Sequence, residues 1–184
     1  MQRVAKCQSS TLAQPCNVQL FCGDAIYRSK YEDHPLKPLA STPLFTSIIA
    51  LDCAYHFASR ELFLRQCFAR LAPGGTIALG DLAVSRPLPF VLRMALSHLL
   101  SVRPENMITP EEYERQLEMI GYANVSVKDI SHDVFPGFRI FLRSRGRIWR
   151  LVDLVIGSWV GAGGRFLIVS ASKPETQTES HLTL

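Results

Sequence analysis

Residues 1–17 contain no aspartate or glutamate and no apolar core long enough for a secretory signal. Arg3, Lys6 and several serines and threonines give this stretch only a faint likeness to a mitochondrial leader, so residues 1–16 read as an irregular start. The cysteines are few and odd in number (Cys7, Cys16, Cys22, Cys53 and Cys67), and none stands in CxxC or zinc-type spacing. A disulfide frame and a metal site are therefore not expected, and reduced thiols of a cytoplasmic protein are. Long hydrophobic runs are also lacking. The most apolar tract, residues 148–171, is interrupted by Arg150, Asp153 and Arg165, so no membrane span is predicted. A net charge of +4 with scattered basic residues excludes a nucleic-acid stripe and argues only weakly for an anionic surface partner. No G-x-S-x-G or G-x-C-x-G elbow surrounds Cys53, so a hydrolase built on Cys53 and His56 is disfavoured and an inert thiol expected.

What is present is enough for one domain with a sizeable core: 184 residues, 47% of them hydrophobic. The organising stretch is residues 45–81. An apolar run from Phe45 to Leu51 ends at Asp52, and a polar-aromatic turn follows, Cys53-Ala54-Tyr55-His56-Phe57. Ser59 is placed to cap a helix, with Glu61 at its positive end. Phe63, Leu64, Cys67, Phe68 and Leu71 then share one helical face. Pro73-Gly74-Gly75 is expected to stop that helix, and a second apolar run, Thr76 to Leu79, ends at Gly80-Asp81. This reads as one right-handed βαβ unit whose two strands each end in an acid at the carboxyl edge, where open α/β sheets bind ligands.

Around this unit, Asn17–Cys22 alternates loosely like a strand and ends at Gly23-Asp24-Ala25, while the proline-rich residues 28–44 read as a loop. Phe90–Val102 reads as a helix apolar nearly all round, with burial on the sheet its plainest explanation. Thr109-Pro110-Glu111-Glu112 is a capping box with proline at the first helical position. Residues 124–130 are expected as a strand, 138–160 as a mostly amphipathic helix, and 165–171 as a continuously apolar strand. Arg139, Arg143, Arg145, Arg147 and Arg150 form a basic cluster that reads as a solvated face. Residues 17–174 are taken as the domain and 175–184 as a disordered tail.

The Phe45-to-Asp81 pattern, with Leu71-Ala72-Pro73-Gly74-Gly75 at its centre, resembles the class I S-adenosylmethionine-dependent methyltransferases of the small-molecule, type 11-like kind. Gly23-Asp24-Ala25 and the stretch from Thr109 to Ser131 match the same family. The resemblance implies an α/β, Rossmann-like sheet, mostly parallel with an antiparallel last strand. It also implies that the chain begins near the family's third strand. The first two strands, the glycine-rich cofactor loop and the ribose-binding acid have no counterpart here, and Gly161–Gly164 cannot replace the loop because a strand follows it. Family order 3-2-1-4-5-7-6 would then leave 4-5-7-6, with Ser47–Leu51 an open edge suited to self-association unless Asn17–Cys22 pairs there.

By the same resemblance S-adenosylmethionine is the cofactor, held by Asp24, Ala25, Asp52, Cys53 and Phe57. His56 is the candidate base, with Tyr55 and Phe57 flanking and desolvating it. The resemblance implies that the apolar Phe90–Val102 helix, if not buried on the sheet, covers the acceptor pocket, and it favours a small lipophilic or aromatic acceptor over a protein or nucleic acid. The alternative is a methyltransferase-like remnant or interaction module without activity.

Overall fold

A computed structural model of the chain describes residues 20–28, 34–38 and 43–175. The strands are β1 (Phe45–Leu51), β2 (Leu71–Val84), β3 (Ala123–Asp129) and β4 (Gly164–Ser172). The helices are α1 (Arg60–Arg70), α2 (Phe90–Leu100), α3 (Pro110–Ile120), α4 (Ser131–Ser144) and α5 (Arg147–Gly161), with 3-10 turns at Ala54–His56 and Pro104–Asn106. Among the described residues, one sheet of order β1-β2-β4-β3 holds all four strands. β1 and β2 are parallel and β4 is antiparallel to both neighbours, so β1, β2 and β3 bring their carboxyl ends to one edge. This is the order expected from the resemblance, and among the described residues β1 is paired on one side only.

Local chemistry explains the elements. Ser59 caps α1 by accepting from the Leu62 N–H. Thr109 and Glu112 exchange side-chain and backbone bonds in the expected capping box, and Gly121, at φ 109°, closes α3. α1 and α3 bury Leu64, Cys67, Tyr113 and Leu117 against Ile77, Leu79, Leu167 and Val169 of the sheet. A second cluster joins Tyr55, Val84, Leu96, Phe135 and Trp159, gathering α2, α4 and α5 around the end of β2.

Several elements depart from the sequence reading. α1 ends at Arg70, not at the Pro-Gly-Gly, because Leu71 is already extended and pairs with Phe45. Ser47 then pairs with Thr76, so residues 72–75 bulge from the ladder inside β2. β2 also runs past Gly80-Asp81 to Val84, which places Asp81 within the strand and fully buried. The long helix expected over 138–160 is two helices, with α4 starting at Ser131 and Gly146, at φ 111°, turning the chain into α5. Pro136 is accommodated within α4. Leu20–Cys22 is not strand, and residues 17–19 lie outside the described residues. α2 is not buried on the sheet: Leu96 is its one buried residue, while Phe90, Val91 and Leu99 are exposed. Of the basic cluster, Arg139 and Arg143 are not simply solvated, since both pair with Asp153.

Candidate active site at the carboxyl edge of the sheet

β1 delivers the chain to Asp52, which adopts the left-handed conformation at φ 55° and donates its N–H to the Gly80 carbonyl. The Asp52 carboxylate accepts from the Tyr55 hydroxyl at 2.7 Å. The turn after it is a short 3-10 segment in which the His56 N–H donates to the Cys53 carbonyl and the Phe57 N–H to that of Ala54.

A buried polar network fixes this turn from below. One oxygen of Asp81 accepts from the backbone N–H groups of Tyr55, at 3.1 Å, and Leu82, at 3.0 Å. The other accepts from the Arg60 guanidinium, at 2.8 Å, and the Tyr113 hydroxyl, at 2.9 Å. Arg60 also donates to the Asn106 carbonyl, at 2.7 Å, and lies 4.2 Å over the Tyr113 ring. Asn106 in turn donates its amide to the carbonyls of Tyr55, at 3.0 Å, and Phe57, at 2.8 Å. Nearly every donor and acceptor here is used, and that is the condition under which buried charge rigidifies a structure.

Burial, then the hydrogen bond and charge of Asp52, push the Tyr55 phenol well above its ordinary value. Burial, then the charges of Asp81 and Asp52, raise the Cys53 thiol. Both groups stay protonated at neutral pH, and Cys53 is a poor nucleophile, as expected.

His56 stands exposed above the network. Its Nδ1 lies 2.7 Å from the Ser101 carbonyl, which only accepts, so Nδ1 carries the proton and Nε2 is left as an acceptor with no partner among the described residues. The expected flanking is half realised. The Tyr55 ring is 4.2 Å away, but Phe57 turns to Phe63 at 4.9 Å, so the two aromatics do not enclose the imidazole.

Asp24 is exposed and forms a local turn, one carboxylate oxygen accepting from the Ile26 N–H at 3.0 Å and the other 3.5 Å from Arg28. Ala25 is half-buried beside it, and Ile26 is buried in the same cluster as Ala54 and Phe63. Tyr27 exchanges two backbone bonds with the Gln66 side chain, which ties the segment to α1. Cys53 and Phe57, both half-buried, pack on that cluster. His34, unmarked in the sequence, is buried between the Asp24 carbonyl and the Leu36 N–H. Arg60, Asn106 and Tyr113 were equally invisible, because their partners lie far away in the chain. Separately, a groove of about 500 Å³ runs beside α4, its lining including Phe135, Pro136, Ile140 and Val160 together with Arg139 and Arg143.

Known solved structures share this fold. A putative sarcosine dimethylglycine methyltransferase from Galdieria sulphuraria superposes with a TM-score of 0.62 at 11% identity, over 77% of this chain and 57% of that one. The described residues have the fold of about half of such a methyltransferase chain. A geranyl diphosphate C-methyltransferase from Streptomyces coelicolor, in complex with S-adenosyl-L-homocysteine, shares it with a TM-score of 0.58 at 12% identity, over 76% and 50% of the two chains. In sequence, the chain is 32% identical over 111 residues to the erythromycin 3''-O-methyltransferase of Saccharopolyspora erythraea, covering 54% of this chain and 35% of that one. The chain thus spans about a third of the length of that curated relative. No family model matches the sequence.

Proposed function

We propose that this chain takes part in methyl transfer from S-adenosylmethionine to a small lipophilic or aromatic molecule. The observation that carries the reading is the Asp52–Phe57 turn, held rigid at the carboxyl edge of a methyltransferase sheet by Arg60, Asp81 and Asn106. The residues fit an adenosyl group in kind: exposed carboxylates at Asp24 and Asp52 accept hydrogen bonds, and the half-buried Phe57 ring offers an apolar face. Ala25 and Cys53 would complete that wall. When bound, S-adenosylmethionine supplies a methyl group on a sulfonium centre, and the protein's task is alignment of the acceptor. His56 Nε2 takes the proton of an acceptor O–H or N–H. The relatives named for erythromycin and geranyl diphosphate support a lipophilic acceptor.

Calorimetric titration of the 184-residue chain with S-adenosylmethionine and its demethylated product tests the donor assignment. Weak binding that Asp24→Ala weakens further is expected. No heat from either ligand would overturn it. For the base, His56→Ala should lower turnover by about two to four orders of magnitude with donor affinity unchanged. Unchanged turnover in a less stable variant would make His56 a purely structural residue.

A second reading, a non-catalytic interaction module, draws on the one-sided pairing of β1 with Ile49 and Leu51 exposed. Concentration-dependent self-association that Ile49→Lys abolishes, together with no donor binding, would favour it.

A further inference from the structure

The outer face of α5 inverts the usual amphipathic pattern. Ile148, Leu151 and Leu154 recur at three-residue spacing along one side of the helix and are 76%, 64% and 62% exposed. The inner side holds Asp153 and Trp159, both buried. Arg147 and Arg150 lie on the exposed side beside the apolar stripe, and Arg145 sits in the preceding turn, its guanidinium 4.7 Å over the exposed ring of Phe141. None of these three arginines forms an ion pair among the described residues. The acid of α5, Asp153, is turned inward and neutralised by Arg139 and Arg143, each at 2.6 Å. The exposed face therefore has apolar and cationic side chains and no carboxylate of its own.

We propose that the α4–α5 hairpin is a docking surface for an anionic lipid bilayer. The inference stands independently of the methyl-transfer reading. An apolar stripe flanked by arginines is what an interfacial helix presents, the hydrocarbon entering the headgroup boundary while the cations meet lipid phosphates. A convex ridge of side chains fits a fluid, deformable surface. The charge on the ridge selects a negative one. α5, at 15 residues, is long enough to lie in the interface, and no helix of the described residues is long and apolar enough to cross it. The Arg139–Asp153–Arg143 bridge fixes α5 on α4, so the ridge exists before any membrane is met. Trp149 is 47% exposed but lies across the helix from Leu151 and Leu154, and Trp159 is 1% exposed in the core, so neither tryptophan is on the ridge.

The full chain is mixed with phosphatidylcholine vesicles, with and without phosphatidylserine, and followed by co-sedimentation. Binding is expected only with the anionic lipid, and it should weaken in high salt. Arg147→Ala and Arg150→Ala should each weaken binding about five-fold, as a phosphate-facing cation near the surface does. The exposed double variant Leu151→Glu/Leu154→Glu should abolish it with an unchanged melting curve. Failure to bind anionic vesicles, equal binding to neutral ones, or binding unaffected by these substitutions overturns the proposal. So does a stable dimer that the Leu151→Glu/Leu154→Glu variant dissociates, since the ridge would then be covered by a second copy.

Discussion

Arg60 and Asp81 form an ion pair 2.8 Å apart with both side chains withdrawn from solvent, and it is this pair that connects the floor of the sheet to the turn above it. Asp81 holds the Tyr55 N–H on its other oxygen, so the strand, helix α1 and the candidate active-site turn share one carboxylate. Replacing Arg60 by Met leaves that carboxylate buried without its cation. The expected cost is about 3–5 kcal/mol, with part recovered when Asp81→Asn is added, because the stranded charge is then removed. Urea unfolding of the single and double variants measures both. Equal stability of Arg60→Met and the parent would mean that the pair is open to water.

Asn106 supplies the second hold on the turn, donating to the Tyr55 and Phe57 carbonyls while accepting from the Arg60 N–H. Asn106→Ala leaves buried backbone groups unsatisfied, at about 1–3 kcal/mol each. Faster amide exchange across residues 53–60, with β4 unchanged, is the expected signature. Exchange raised evenly across the sheet would indicate a global effect instead.

Hydrogen bonds from Arg139 and then Arg143 hold the Asp153 carboxyl below its ordinary value. A carboxylate lowered in the folded state stabilises fully above its unfolded value, near pH 4, and loses that contribution as pH falls through the lowered one. The difference in thermal midpoint between the parent and Asp153→Asn should therefore be constant from pH 7 to about 5 and shrink below about 4. A difference independent of pH would show that the carboxylate is unpaired.

Burial pushes the Cys67 thiol up to about 12, while Cys22 is exposed. Because the unfolded thiol ionises near pH 8.5, the stability gained by keeping Cys67 neutral is complete below that pH and lost as pH rises toward 12. Peptide-mapped alkylation at pH 8 should modify Cys22 first and Cys67 only after denaturant is added. Equal rates would contradict a closed core.

Gly164 opens β4 against the indole of Trp159. A methyl added there would collide with the indole nitrogen, so Gly164→Ala must displace a fully buried ring. A loss of about 1–3 kcal/mol and a red shift of Trp159 emission, read in a Trp149→Phe background, are expected.

The sequence by itself determined whatever depends on neighbours in the chain. The Ser59 cap, the Thr109–Glu112 capping box, the stop at Gly121 and the apolar strand at the carboxyl end were readable, because each rests on contacts within a turn or on a continuous apolar run. The strand order was readable only through the resemblance. Tertiary structure decided the rest. Asp81 looked like an edge acid, but β2 continues to Val84 and Arg60 and Tyr113 converge on it from 21 and 32 residues away, so it became the buried anchor. Phe90–Val102 reads as a core helix, yet hydrophobicity alone cannot say whether a surface exists to cover it, and most of the apolar residues of the observed helix, Phe90–Leu100, remain outside. His56 marked itself by its place after β1. The orientation of its free nitrogen was settled by a carbonyl 45 residues distant, at Ser101.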